Sequence, residues 1–393
     1  MILNKTVLLS TFATLSVASV VLFGCSTDRK ESVEHLFFTA VFTLDDSTSV
    51  SVLAKKSVEG LVVKNGAERI FLKSQGPDNY SVPVFGGALV GEWSDKVWKG
   101  EWIDSLRTED YRVKLEISPL NSLRGTTGRF TKSTWDTSIG KLKLTHRGDS
   151  AWGTFMTSTG DFRYQAGKID TLTNRFKLQN FDGVHLFYFG GEIKGDSIIN
   201  GEFKSGIHYS TSWNGERAKN ENVTWNPEQE WGRGEKVEFQ GVNSNGDTEI
   251  WSQSRLLKSG YKMLVVDVMG TWCPNCMDEA RLLKELSVDY PEVCFVSVAF
   301  ERFQGNDALQ RIAGFKKSMS IPWEILHGGS ANKSEADSCL AFFGGVKSFP
   351  TTAFIPVDGN PVIHSGFSGP ATGKAYEEEV AFFRETIETL LKN

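Results

Sequence analysis

Cys273 and Cys276 stand three apart in the stretch Gly270-Thr271-Trp272-Cys273-Pro274-Asn275-Cys276. A Cys-x-x-Cys pair has two uses: it opens and closes a disulfide, or it supplies half of a zinc site. The flanking pattern separates the two. Met263–Val268 is a short apolar, β-branched run that predicts a buried strand, and Gly270 and Thr271 interrupt it. Met277–Tyr290 then carries Leu282, Leu283 and Leu286 at helical spacing among charged residues. Two cysteines on the first turn of a helix lie close enough to bond. The first, Cys273, meets the free N–H groups and positive dipole of the helix N-terminus, which favour a thiolate. Structural zinc asks for four ligands, usually through a second Cys-x-x-Cys or a His pair nearby. Neither occurs, and Cys294 and Cys339 fall in other segments. The expectation is a redox pair with no metal and no cofactor besides the dithiol itself.

The elements that must hold this pair belong to a long chain. At 393 residues two domains are expected. A net charge of −5 without a basic run gives nucleic-acid binding no electrostatic support. Residues 1–24 read as a targeting segment, with Lys5 as a minimal positive start and Val7–Phe23 as its apolar stretch. Leu22-Phe23-Gly24-Cys25 resembles the lipobox of bacterial lipoprotein signal peptides, which implies cleavage before Cys25 and its lipidation. The alternative is a single transmembrane anchor, which wants about 20 apolar residues. Either way the rest of the chain lies outside the cytoplasm, tethered to a bacterial membrane in the cell envelope, where disulfide chemistry is at home. Residues 25–33 read as the anchor linker.

Residues 34–225 switch to period two, with strand-like runs at Leu36–Phe42, Ser49–Leu53, Leu61–Val63 and Tyr111–Ile117 between Gly, Asn and Asp breaks. Asp95…Gly100-Glu101-Trp102, Asp149…Gly153-Thr154-Phe155 and Asp196…Gly201-Glu202-Phe203 form a weak repeat. Each reads as a hairpin whose returning strand buries an aromatic. An all-β, antiparallel sandwich or barrel-like domain is expected. Gly160–Tyr164 and Phe181–Phe187 can line a binding face; the plainer reading makes their aromatics core and gives Asp161 and Asp182 to turns. His185 and His208 are either paired metal ligands or ordinary polar strand residues. The polar stretch Asn220–Gly234, with Trp225 and Trp231 docking it, places a linker at 226–235. From 236 onward a hairpin, Val237–Phe239 with Glu249–Trp251, leads into alternating elements. Val293–Phe300 and Trp323–Leu326 read as strands, and Asp307–Met319, Lys333–Phe343 and Tyr376–Leu391 as helices. Thr352–Ile355 and Pro361–His364 read as a hairpin, which completes a three-layer α/β domain over 236–393.

On these motifs residues 236–393 resemble the TlpA/ResA-like thiol-disulfide oxidoreductases, the membrane-tethered extracytoplasmic branch of the thioredoxin superfamily. The 270–276 motif, Glu279 and Phe349-Pro350-Thr351 carry the resemblance, the last being similar to the superfamily's cis-proline site. Gly366–Gly373 and, more weakly, Thr157–Arg163, Asn180–His185 and Gly195–Gly206 resemble segments of Bacteroidota-type lipoproteins of this branch, which carry an N-terminal β-rich domain. The resemblance implies a multidomain fold: an N-terminal all-β domain plus a C-terminal α/β thioredoxin-like domain. It implies Cys273 as exposed nucleophile and Cys276 as the more buried resolving thiol, joined as the redox disulfide. Asp267 or Glu279 would be a buried carboxylate with a raised pKa that takes the Cys276 proton. The plainer readings are a solvated strand end for Asp267 and a first-turn helix acid for Glu279. Trp272, Pro274, Asn275, Phe349, Pro350 and Thr351 would meet the substrate, and His364 has no role. One departure is Met269, where thioredoxin itself has Trp two after the buried aspartate; it agrees with a specialised branch. Cys294 and Cys339 read as free thiols, with a second disulfide as the alternative. The implied function is reduction of envelope-protein disulfides, in cytochrome maturation or more generally, with a membrane thiol reductase as electron donor. The alternatives are a disulfide oxidase or isomerase on the same site, a peroxidase, for which the Cys-x-x-Cys context is wrong, and an envelope binding lipoprotein whose β domain is the principal part.

Overall fold

The computed structural model describes residues 37–66, 68–107, 110–120, 126–157, 160–219, 228–229 and 236–392. The expected signal segment, Cys25, the anchor linker and, apart from 228–229, the polar linker with Trp225 and Trp231 lie outside the described residues.

Alternating apolar and polar residues build the first sheet. Its strands are β1 (Phe37–Thr43), β2 (Ser49–Ser57), β3 (Gly60–Asn65), β4 (Glu68–Ser74), β5 (Tyr80–Ser81), β6 (Ala88–Ser94), β7 (Val97–Ile103) and β8 (Arg112–Pro119). Phe38, Ala40 and Phe42 of β1 point inward with Val50, Val52 and Ala54 of β2 and Val113, Leu115 and Ile117 of β8. β8 returns to pair with β1, Phe42 facing Leu115, so the sheet is a closed barrel without an edge. Trp98 and Trp102 fill it. Gly91 and Gly100 face each other across β6 and β7 because a Cβ on either would strike the Trp98 ring.

The second sheet comprises β9 (Phe130–Thr137), β10 (Gly140–Arg147), β11 (Ser150–Thr157), β12 (Gly160–Asp161), β13 (Gln165–Asp170), β14 (Arg175–Phe181), β15 (Leu186–Lys194), β16 (Ser197–Ser205) and β17 (Tyr209–Arg217). Its order is β10-β9-β17-β16-β15-β14-β13-β11-β12, and β10 also pairs with β11, so it closes as well. The period-two region therefore makes two barrel-like closed sheets. Phe189 stacks between Phe155 and Phe203, with centroids 4.3 and 4.5 Å away. The three repeat segments are hairpins, β6–β7, β10–β11 and β15–β16, and their returning strands bury Trp102, Phe155 and Phe203. Phe181, Val184 and Leu186 pack into the core of the first barrel, the Phe181 ring 4.8 Å from Phe42 and 5.2 Å from Trp102. The two barrels therefore share apolar contacts rather than standing apart.

The third sheet holds β18 (Glu228–Gln229), β19 (Glu238–Val242), β20 (Thr248–Ser252), β21 (Met263–Met269), β22 (Val293–Glu301), β23 (Glu324–Ser330), β24 (Thr351–Pro356) and β25 (Val362–Ser365). The helices are α1 (Gln253–Ser259), α2 (Pro274–Asp289), α3 (Gly305–Met319), α4 (Lys333–Cys339) and α5 (Gly373–Lys392). The strand order is β18-β25-β24-β21-β22-β23-β19-β20. β21, β22 and β23 are parallel, while β24 runs antiparallel to β21 and β25 to β24. A central strand feeding a helix, parallel crossovers on one side and a final antiparallel hairpin and helix make the thioredoxin-like arrangement. Every residue of β21 is buried, as a strand covered on both faces requires. Met263, Val265 and Met269 pack with Leu283, Phe383 and Ile387, and Leu264, Val266 and Val268 with Leu340, Phe342 and Phe343. The helix expected over Lys333–Phe343 is interrupted: Leu340 leaves helical geometry (φ −124°) after α4, and Ala341–Phe343 form a 3-10 turn. No helix among the described residues is long and apolar enough to cross a membrane.

Candidate functional site

β21 delivers the cysteines to the start of α2. Gly270 is required at the exit, since a Cβ there would lie 2.4 Å from the Trp272 indole nitrogen. Thr271 anchors the turn: its N–H and Oγ1 each donate to the buried Glu301 carboxylate at 2.8 Å. Trp272 Nε1 donates to Phe300 O at 2.9 Å. Cys273 is the N-cap of α2 and Pro274 occupies the first turn, where its missing N–H costs nothing. Cys273 and Cys276 are disulfide-bonded, with Cα atoms 5.2 Å apart. The Cys276 N–H points at Cys273 Sγ from 3.1 Å, so sulfur occupies the place a cap oxygen would take. Opposite, Phe349 O lies 3.5 Å from Cys273 Sγ, and the Phe349–Pro350 bond is cis. Thr351 Oγ1 donates to Ser348 O at 2.8 Å, fixing that loop.

Cys273 is not exposed. It retains 5% of its surface and Cys276 none. The exposed Cys273 that the resemblance implied is therefore corrected to a buried one. A turn of the first barrel reaches the same apolar cluster. Val84, in the turn closed by Val82 N–H donating to Gly87 O at 2.7 Å, packs against the apolar cluster that contains both cysteines, together with Trp272, Met277 and Phe349. Val84 has φ +73°, a left-handed conformation that a β-branched residue adopts at a cost of about 1–3 kcal/mol. Beside it opens a cleft of about 470 Å³, lined among others by Phe71, Val84, Phe85, Met277, Arg281 and Pro370.

A buried polar row crosses the sheet that carries the motif. Ser297, Asp267, Thr352 and His364 are in register across β22, β21, β24 and β25. Ser297 Oγ donates to Asp267 Oδ2 at 2.9 Å, and Trp323 Nε1 donates to Ser297 Oγ at 2.9 Å. Thr352 Oγ1 donates to Glu279 Oε1, one turn after Cys276 on the buried face of α2. His364 Nε2 lies 2.8 Å from Glu379 Oε2 of α5, and the other Glu379 oxygen accepts the Ser368 N–H at 2.8 Å. Burial pushes Asp267 up to about 7, against the Ser297 hydrogen bond. Burial, then the nearby Asp267 charge, holds Glu279 well above the usual carboxylate range. Asp267 Oδ1 and Glu279 Oε2 have no hydrogen-bond partner among the described residues.

Asn275 Nδ2 donates to Phe367 O at 3.0 Å, tying the motif to the segment after β25. The remaining candidates make other contacts. Asp182 accepts the N–H groups of Val184 and His185 and sits 3.0 Å from His185 Nδ1, while His208 Nδ1 is 3.2 Å from Tyr111 Oη, so the two histidines have different partners. Cys294 and Cys339 are free, half-buried thiols, and desolvation lifts Cys294 to about 11. Sequence reasoning passed over Thr352 and Glu379, gave His364 no role, and singled out Gly160–Tyr164 without giving Arg163 a part in the redox site. The in-register alternation of β24 and β25 was a usable signal for Thr352 and His364; nothing local marked Glu379.

No protein-family model matches the chain. Over 128 residues, 33% of the chain, it is 27% identical to the thiol:disulfide interchange protein DsbE of Escherichia coli (strain K12). The chain spans about 60% of that relative's length. Among solved structures, a secreted Mycobacterium tuberculosis disulfide oxidoreductase homologous to E. coli DsbE aligns at 19% identity over 36% of this chain and 92% of its own, with a TM-score of 0.27. A thioredoxin-family thiol:disulfide interchange protein from Chlorobium tepidum TLS aligns at 21% identity over 39% and 93%, also with a TM-score of 0.27. The matched segment is thus homologous to DsbE-like thiol:disulfide interchange proteins.

Proposed function

We propose that this chain is an extracytoplasmic thiol-disulfide oxidoreductase that reduces disulfides of envelope proteins. The observation that carries the reading is Cys273 capping α2 and bonded to Cys276, with buried acids on the flanking elements, Asp267 on β21 and Glu279 on α2. The disulfide state is the oxidised form. In the dithiol form the Cys273 thiolate, favoured by the helix N-terminus, attacks one sulfur of a substrate disulfide. A Cys273–substrate disulfide forms, and the first substrate sulfur leaves as thiolate and takes a proton from water. Cys276 then gives its proton to the carboxylate of the Asp267–Glu279 pair, whose proton affinity burial raises. The Cys276 thiolate attacks Cys273, the second substrate thiolate leaves, and two electrons have passed to the substrate. Trp272, Pro274, Asn275, Phe349, Pro350 and Thr351 form the rim that meets it, and the Val84 turn must move aside for a protein substrate.

The name of the E. coli relative supports disulfide interchange as the reaction. The apolar segment ending in Leu22-Phe23-Gly24-Cys25 supports a lipid anchor on Cys25 and an envelope location, with residues 34–225 as the β-rich domain, 226–235 as linker and 236–393 as the redox domain. A membrane thiol reductase would return the dithiol. The test is trapping: the Cys276→Ser variant should hold a protein disulfide substrate covalently on Cys273, released by dithiothreitol. A Cys276→Ser variant that forms no adduct, or one that forms it equally when Cys273 is also Ser, refutes the proposal.

A further inference from the structure

The β-rich portion contributes a buried cation to the redox site. Arg163 lies between β12 and β13 in left-handed backbone conformation, φ +59°, which is uncommon for a residue with a side chain. The Asp161 carboxylate holds that turn by accepting the Arg163 N–H at 3.1 Å. The Arg163 side chain is 4% exposed, and a charge so buried persists only when it is paired. Its Nη1 lies 2.6 Å from Asn275 Oδ1, inside the Cys-x-x-Cys motif, and 2.8 Å from Asp278 Oδ2 on the first turns of α2. Its Nη2 donates to Glu68 of β4, and Nε is 3.9 Å from Asp182 Oδ2. The segment after β25 makes room: a Cβ on Gly369 would lie 2.5 Å from both Arg163 Nη1 and Asn275 Oδ1. Four stretches far apart in sequence, at Glu68, Asp182, Asn275–Asp278 and Gly369, are shaped around one cation that touches the motif.

We infer that Arg163 is a positioning residue of the redox pair: it fixes Asn275 and the first turn of α2, and its charge joins the helix N-terminus in favouring the Cys273 thiolate. The inference rests on the oxidoreductase reading above. A stabilised thiolate stabilises the reduced form, so loss of the cation moves the couple toward the disulfide. Glu68 opposes Arg163 from the nitrogen that faces away from Asn275, so loss of its charge acts in the other direction.

The experiment is a redox titration of the full chain in glutathione buffers, read by thiol alkylation and mass. For Arg163→Met we expect about a tenfold shift toward the disulfide, the size of one charge at about 10 Å in a medium of effective dielectric about 20; tenfold is about 30 mV. Arg163→Lys should recover most of that shift, and Glu68→Gln should shift the couple toward the dithiol. A merely structural role moves none of these in opposite directions. If Arg163→Met does not fold, Glu68→Gln and Arg163→Lys decide. Variants within about twofold of the parent, or shifts of one sign for Arg163→Met and Glu68→Gln, overturn the role of Arg163 while the parent couple still titrates. A parent that does not titrate reversibly overturns the oxidoreductase reading, and this inference with it.

Discussion

Asp267→Asn tests whether the buried acid of β21 is held protonated by its surroundings. Asp267 is 1% exposed, accepts one hydrogen bond from Ser297, and is pushed up to about 7 from an ordinary 3.8. Each pH unit of such a shift corresponds to about 1.4 kcal/mol, so forcing the folded site to hold the carboxylate costs on the order of 4 kcal/mol. The folded chain binds this proton more tightly than the unfolded chain. The contribution to stability is therefore complete below about pH 4 and lost as pH rises through about 7. Asparagine keeps the shape and the Ser297 contact but does not ionise. The variant also removes the Asp267 charge that raises Glu279, which acts in the same direction. Urea unfolding of the oxidised full chain at pH 5 and pH 8 reads the effect. Asp267→Asn should gain on the parent by about 3 kcal/mol between those pH values, with an unchanged m-value. A stability difference that stays constant from pH 5 to pH 8 would refute the reasoning.

Three further outcomes follow from the same geometry. Glu279→Gln should slow the resolving step by about 10²–10⁴, so that acid-quenched reactions accumulate the Cys273 mixed disulfide; an unchanged adduct level contradicts Glu279 as part of the proton acceptor. Val84→Gly suits the positive φ and removes the side chain packed over the redox cluster, so Cys273 in the reduced protein should alkylate several-fold faster with global stability within about 1 kcal/mol; an unchanged alkylation rate means Val84 is not the cover. Phe181→Ala should cost about 3–5 kcal/mol and shift the unfolding of both barrels together, because Phe181 fills the first barrel from the second; a loss confined to one barrel contradicts their shared core.

Much of the redox half was legible in the sequence because its signals are local. The apolar run of β21, the break at Gly270 and the leucines of α2 are set by contacts within a few residues, and they placed Cys273 and Cys276 at a helix start. Asp267 came from the resemblance, supported by its apolar neighbours Val265, Val266 and Val268, among which a carboxylate is costly to bury. The hairpin repeat was legible for the same reason, since each tight turn and buried aromatic is a local pattern. What escaped depends on pairings between distant segments. The sequence left a sandwich and a barrel both open, because strand alternation is the same in either; β1 meeting β8 and β10 meeting β11 make two closed barrels. Arg163 looked like one polar residue between two aromatics, yet its partners are Glu68, Asn275 and Asp278. Val84, which packs against the cluster that contains Cys273, likewise belongs to a turn nearly two hundred residues upstream.

The central claim is that Cys273 and Cys276 form a reversible two-electron couple. It is tested most directly by the reduction potential of the pair in the full chain, equilibrated with dithiothreitol and glutathione buffers and read by alkylation. A single reversible transition lost in Cys273→Ser, near the value of about −270 mV that characterises thioredoxin, is the result predicted for a reductase. A value near −120 mV would reverse the direction and make the chain a disulfide donor. The absence of any Cys273–Cys276 transition would contradict the account.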